Sequence, residues 1–140
     1  MRQIVTGIDA DGRSCVVGEF NLDSNDRTRG GRVDGFLSGS NPAPPRPPGR
    51  GEYVDLEVPV GQTKTLLAKW ASDFSYGMHH TDTIDFDHVV DGSAVLILDD
   101  GRHVLEAGDS AIVTGVDHGW EAGPDGAAIA FVFLGTPPPG

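Results

Sequence analysis

GMHHTDTIDFDHVVDG, residues Gly77 to Gly92, is the stretch on which the reading of this chain turns. It sets three histidines (His79, His80, His88) and four aspartates (Asp82, Asp85, Asp87, Asp91) on a β-prone run. The two remaining histidines, His103 and His118, follow within the next thirty residues, so all the histidines of the chain fall between 79 and 118. Side chains alternate faces along a strand. If the extended path holds from residue 79 onward, His79, Thr81, Thr83, Asp85 and Asp87 line one face, and His80 and His88 point the other way.

Downstream the same texture continues. Ser93 to Leu98 and Arg102 to Glu106 flank Asp99-Asp100-Gly101, a hairpin signal. Turns at 107–109, 115–117 and 123–126 then separate strands at 110–114, 118–122 and 127–134. Upstream, Tyr53 to Val58 alternates before Pro59-Val60-Gly61, and Thr63 to Trp70 reads as a strand, with a connection at 71–77. Residues 3–8 and 14–19 form a hairpin across Asp11-Gly12. Short strands at intervals of eight to twelve residues, with turn signals between them, predict an all-β sandwich or barrel. The boundaries expected are 1–52 for N-terminal strands plus an arm, 53–135 for the barrel and 136–140 for a frayed tail, all in one domain.

Between the first hairpin and Tyr53 lies NPAPPRPPGRG, with five prolines among the eleven residues 41–51. Proline lacks the backbone donor a sheet interior needs, so this piece is an extended arm, lying over the barrel mouth or across a dimer partner, with Phe36-Leu37 as an anchor. The net charge of −11 and pI near 4.5 disfavour phosphate backbones and anionic membranes as partners. No apolar run reaches the roughly 18 residues of a membrane span. The single cysteine, Cys15, has no internal partner. A cytoplasmic location is the default expectation, because the first residues lack the apolar centre of a signal peptide.

Chemistry is sought among the histidines. Neutral imidazoles and a carboxylate are good ligands for a divalent transition metal (iron, manganese, nickel, copper or zinc). His79, His118 and Asp85 form such a set if their strands are neighbours. His118 and Trp120 share a face. His103 faces solvent, and Asp109, following Gly108, caps a turn. Neither a nucleophile elbow nor a glycine-rich phosphate loop is present.

Residues 77–134 resemble the conserved barrel of the cupin superfamily. In the first cupin motif His79 takes the first histidine position, Thr81 the second, Asp85 the glutamate position and Gly92 the closing glycine. In the second, Gly115 and His118 match the core, with Val113 at the proline and Ala122 at the asparagine position. Gly108-Asp109 resembles the usual pair before that strand. The run His79 to Asp85 is similar to an H-x-T-D-T-x-D signature of small single-domain cupins, and VTGIDADGRS at 5–14 resembles the opening of that subgroup. The resemblance implies a cupin-type antiparallel β-barrel (a double-stranded β-helix or jelly roll) with an irregular N-terminal extension. It implies a metal held by three histidines and a glutamate, of which this chain keeps two histidines, with aspartate for glutamate and threonine for the third histidine.

The expected function is that of a small-molecule-acting cupin, a metal-dependent enzyme on a phenolic, polyketide or other carbonyl compound, of cyclase, dehydratase, isomerase or dioxygenase type. Metal ligands are His79, His118 and Asp85. An unligated Asp85 is a general base whose pKa burial raises, and His80 relays protons at the mouth. Thr81, Thr83, Trp120, Phe131 and Phe133 contact the substrate. The alternative is a non-catalytic binding protein with an incomplete metal site. Open barrel rims leave unpaired backbone groups, and pairing them makes a homodimer the expected assembly.

Overall fold

The computed structural model describes residues 1–21 and 49–139. The proline-rich arm, apart from Gly49 to Gly51, and the Phe36-Leu37 anchor lie outside the described residues. Within them the chain is all-β: β1 (Arg2–Ile8), β2 (Ser14–Asn21), β3 (Glu52–Tyr53), β4 (Thr63–Trp70), β5 (Ser75–His80), β6 (Thr83–Leu98), β7 (Gly101–Glu106), β8 (Ser110–Val113) and β9 (His118–Gly135). No helix among the described residues is long and apolar enough to cross a membrane.

One curled sheet carries every strand, in the order β2-β1-β8-β6-β9-β5-β3, with β4 also on β9 and β7 also on β6. Most ladders are antiparallel. Two short joints, β1 on β8 and β3 on β5, are parallel. The hairpins at Asp11-Gly12 and Asp99-Asp100-Gly101 form where the turn residues place them. Thr63 to Trp70 is a strand paired along its length with Ala127 to Leu134.

Four segments differ from expectation. Asp91-Gly92 and the 123–126 segment do not end strands: β6 runs sixteen residues and β9 eighteen, straight through both. Register shifts at Val89/Asp91 and Gly92/Ala94 mark bulges, and Gly92 and Gly126 both hold positive φ (68° and 79°). A bulged strand bends and twists more strongly. Here the two longest strands bend together at facing glycines, so each serves both halves of the barrel. The segment 71–77, expected as a connection, contributes Ser75 to Gly77 to β5. Conversely Tyr53 to Val58 is a strand only at its start. After two pairs with β5 it leaves the ladder, and Glu57 takes a left-handed φ of 57°. Its N–H is caught by the Asp55 carboxylate at 2.8 Å.

The core fills the inside of the curl. Val89, Leu96 and Leu98 of β6 meet Leu105, Val113, Ile129, Phe131 and Trp120. Alternation explains the membership: in β6 the odd-numbered residues before the bend are inward, and the bulges reset the count so that Ala94, Leu96 and Leu98 are inward after it. Asp109, as its turn predicts, satisfies loop and strand donors, accepting from the N–H groups of Arg2 (2.8 Å) and Glu106 (2.9 Å).

Candidate functional site

One end of the barrel is not filled by the core. A cavity of about 180 Å³ opens there. Its floor and far wall are Trp120, Phe131 and Phe133 of β9, with Trp70 of β4 and Phe74 and Tyr76 beside them. Its polar groups are His79, Thr81, Asp85 and His118. Val54 and Leu56, from the stretch that leaves the β5 ladder, close the near side.

The polar groups arrive there by register. β5 and β9 pair antiparallel with His79 directly opposite His118. Their ring centroids lie 4.2 Å apart. Each imidazole is fixed in the same way. His79 Nδ1–H donates to the carbonyl of Gly77 at 2.9 Å, and His118 Nδ1–H donates to the carbonyl of Val116 at 2.8 Å. A carbonyl can only accept, so each Nδ1 carries the proton and each Nε2 keeps its lone pair. Burial drives both pKa values down, and the neighbouring His79 ring lowers that of His118 further, to about 3. Both rings are therefore neutral at physiological pH. Two such lone pairs side by side are suited to an electropositive occupant: a hydroxyl or amide donor of a ligand, or a metal ion.

Asp85 sits behind this pair on β6, opposite Phe133 on β9 and Val113 on β8. The Thr83 hydroxyl donates to Asp85 Oδ1 at 2.5 Å. That single proton is then used, so in the 2.9 Å contact between Thr81 and Thr83 the Thr81 hydroxyl is the donor. A two-hydroxyl chain thus runs from the cavity wall to the carboxyl. Burial raises the Asp85 pKa to about 7, against the lowering effect of the Thr83 bond. Asp87, one step deeper, is completely buried with no hydrogen-bond partner for either oxygen. Burial, then the neighbouring Asp85, pushes its pKa well above the ordinary carboxylate value.

Of the residues singled out in the sequence, His79, Thr81, Asp85, His118, Trp120, Phe131 and Phe133 all line the cavity. Thr83 stands immediately behind it, through its bonds to Thr81 and Asp85. His80 does not. Its Nδ1–H turns to Asp117 Oδ1 at 3.1 Å, and the ring is absent from the cavity lining. His88 is on the opposite face of β6, stacked 6.0 Å from Phe86, and His103 is tied to Asp100 at 2.6 Å. Sequence reasoning did not find Asp117, Trp70, Phe74, Tyr76, Val54 or Leu56. The Trp70–Phe74 stack at 4.4 Å depends on a tight turn, and Asp117 on a chain return from far upstream, neither of which alternation reveals.

The fit of a metal to these residues can be judged from the donors. His79 and His118 suit one: neutral, adjacent, with Nδ1 committed and Nε2 available. Beyond them, no group of three or more His, Cys, Asp or Glu side chains among the described residues is placed to hold an ion together. In this structure Asp85 is engaged by Thr83 rather than by the imidazoles.

No protein-family model matches the chain, and no curated protein does. Solved structures do. A transcriptional regulator of the HTH_3 family from Vibrio cholerae aligns over 51% of this chain and 42% of its own, at 17% identity and a TM-score of 0.45. A sugar phosphate isomerase from a cupin superfamily, from Silicibacter pomeroyi, aligns over 54% of this chain and 52% of its own, at 24% identity and a TM-score of 0.47. A cupin-2 domain containing protein from Shewanella frigidimarina aligns over 51% and 67%, at 22% identity and a TM-score of 0.42. The chain thus spans about half the length of the first two. At such identities and scores these likenesses bear on neither activity nor ligand.

Proposed function

We propose that this chain is a small-molecule-acting barrel of cupin type, in which His79 and His118 hold a divalent transition metal through Nε2 and Asp85 moves a proton on the bound molecule. The observation that carries the reading is the imidazole pair: two neutral rings, 4.2 Å apart, each locked by the carbonyl two residues before it. The metal would polarise a carbonyl or phenolic oxygen. The other roles belong to the chain itself. Trp120, Phe131 and Phe133 give a flat, apolar molecule its resting surface and exclude water. Asp85, with a pKa of about 7, can take or give a proton near neutral pH. Thr81 and Thr83 hold it in place and favour its ionised form. A cyclase, dehydratase or isomerase step on a phenolic or polyketide-like carbonyl compound uses these parts. Dioxygen chemistry would use the same metal position.

The second reading is a binding protein without turnover. It is favoured by the absence, among the described residues, of a third ligating side chain grouped with the imidazole pair. A titration separates them. Both tryptophans of the chain line the cavity, so nickel(II) or copper(II) bound between His79 and His118 should quench their emission and saturate at one equivalent. His118→Ala should weaken that binding at least about 100-fold, beyond the 10- to 100-fold typical of outer-shell changes, and His88→Ala should leave it unaltered. Saturable quenching that survives in His118→Ala would move the metal elsewhere and leave the binding-protein reading in place.

A further inference from the structure

The rim of the cavity is built by a contact that no part of the proposed chemistry uses. Asp117, immediately before His118, is nearly buried. Its Oδ2 accepts the backbone N–H of Arg50 at 2.6 Å, and its Oδ1 accepts that of Gly51 at 3.0 Å together with the Nδ1–H of His80. One carboxylate thus ties the incoming chain at residues 50–51 to β5 and to the start of β9. The approach is too close for side chains. A Cβ on Gly49 would strike His80 Nδ1 and come within 2.5 Å of Asp117 Oδ1, and one on Gly51 would come within 2.7 Å of the Met78 carbonyl. Beyond the tie the chain makes its two pairs with β5, Val54 N–H bonds the His80 carbonyl at 2.9 Å, and the path then leaves the sheet. Val54 and Leu56, which close the near side of the cavity, sit on this departing stretch. It contains Glu57, the non-glycine residue with positive φ among those described.

We propose that His80 and Asp117 are positioning residues: together they clasp residues 49–58 over the barrel end as a separable wall of the cavity, and so govern which small apolar molecules enter. The proposal rests on the reading of this cavity as the ligand site. The wall is held at one end by the clasp. Further along, it is held by Lys64 Nζ on the Leu56 carbonyl at 3.0 Å and by the turn at Pro59 to Gln62. Between these points β3 contributes two ladder pairs, and the Tyr53 hydroxyl donates to Asp82 Oδ2 at 3.1 Å. A stretch with so little sheet pairing opens more readily than the strands beneath it. His80 contributes from both its groups, the ring to Asp117 and the carbonyl to Val54.

The two tryptophans report on the wall directly, since Trp70 and Trp120 face the space it covers. With the clasp broken in Asp117→Ala or His80→Ala, the acrylamide quenching constant of tryptophan emission should rise at least about twofold, as expected for a locally opened segment. Asp117→Asn keeps a carbonyl acceptor for one backbone N–H and should fall between. Thermal unfolding should stay cooperative in each. If Asp117→Ala does not fold, Asp117→Asn and His80→Ala carry the comparison on the same criterion. Quenching equal to that of the unmutated protein in the folded variants overturns the proposal. No metal or ligand enters the measurement, so a failure of the metal reading and a failure of the clasp are distinguishable.

Discussion

Metal-free protein carrying Asp85→Asn should lose stability as the pH falls from about 6.5 to about 3, whereas His118→Leu should lose it as the pH rises from about 4 to about 7. The unmutated protein should show a shallower slope than either. The signs follow from proton counts. Asp85 has a folded pKa of about 7 against an ordinary 3.8, so between those values the folded state holds a proton that the unfolded state has released, and rising pH favours unfolding. His118 has a folded pKa of about 3 against 6.5, so between those values the unfolded state binds the extra proton, and falling pH favours unfolding. Each shift is worth on the order of 4 kcal/mol when complete. The two windows overlap between about 4 and 6.5, where the effects oppose. Asp87 acts in the same direction as Asp85, and His79 as His118. Removing one partner exposes the other's slope. Denaturant midpoints from pH 4 to pH 8 for the three proteins check this. Slopes of the same sign in both variants would mean that the carboxyl and the imidazole are not buried as described.

Gly92→Ala should cost on the order of 3–5 kcal/mol, from left-handed backbone strain plus overpacking. Gly92 stands at φ 68°, and a Cβ there would land on the carbonyl oxygen of Gly126. Gly126, at φ 79°, is packed in turn so that its own Cβ would come within 2.5 Å of the Trp70 carbonyl. The two glycines are the place where β6 and β9 bend together, so the side-chain-free contact is what lets one sheet curl into a barrel. Because they touch, the double variant should cost less than the sum of the singles. Chemical denaturation of the two single variants and the double checks this. A Gly92→Ala protein within about 1 kcal/mol of the original would mean that the bend does not need the close approach.

The histidine-rich stretch was readable because alternation is a local property. From His79 the inner face could be counted through Thr81, Thr83 and Asp85 to Asp87, and all five are buried. The count even survives the break in the strand at residues 81–82. The bend was not readable in the same way. Asp91-Gly92 carries the composition of a turn, and the same positive φ that would reverse a hairpin here bends a continuous strand. Which of the two occurs is decided by the close approach of a second glycine thirty-four residues away. The fate of His80 was hidden for a related reason. Parity sends it away from the cavity, but its partner Asp117 and the backbone of Arg50 and Gly51 come from distant parts of the chain. Tyr53 to Val58 alternates like a strand, yet Val54 and Leu56 serve a cavity wall: after Tyr53 it has left the ladder.

Asp87 stands apart from both lessons. A carboxyl with neither oxygen bonded, fully buried beneath Asp85, is destabilising by itself. Its position on the inner face follows from alternation.

Elemental analysis of the purified protein, before chelation and after chelation and reconstitution, beside His79→Ala and His118→Ala, tests the central claim most directly. About one equivalent of iron, manganese, nickel, copper or zinc in the unmutated protein, lost in both variants, is the result expected for a metal held between two neutral imidazoles. Full occupancy in either variant, or none in the reconstituted unmutated protein, would contradict it.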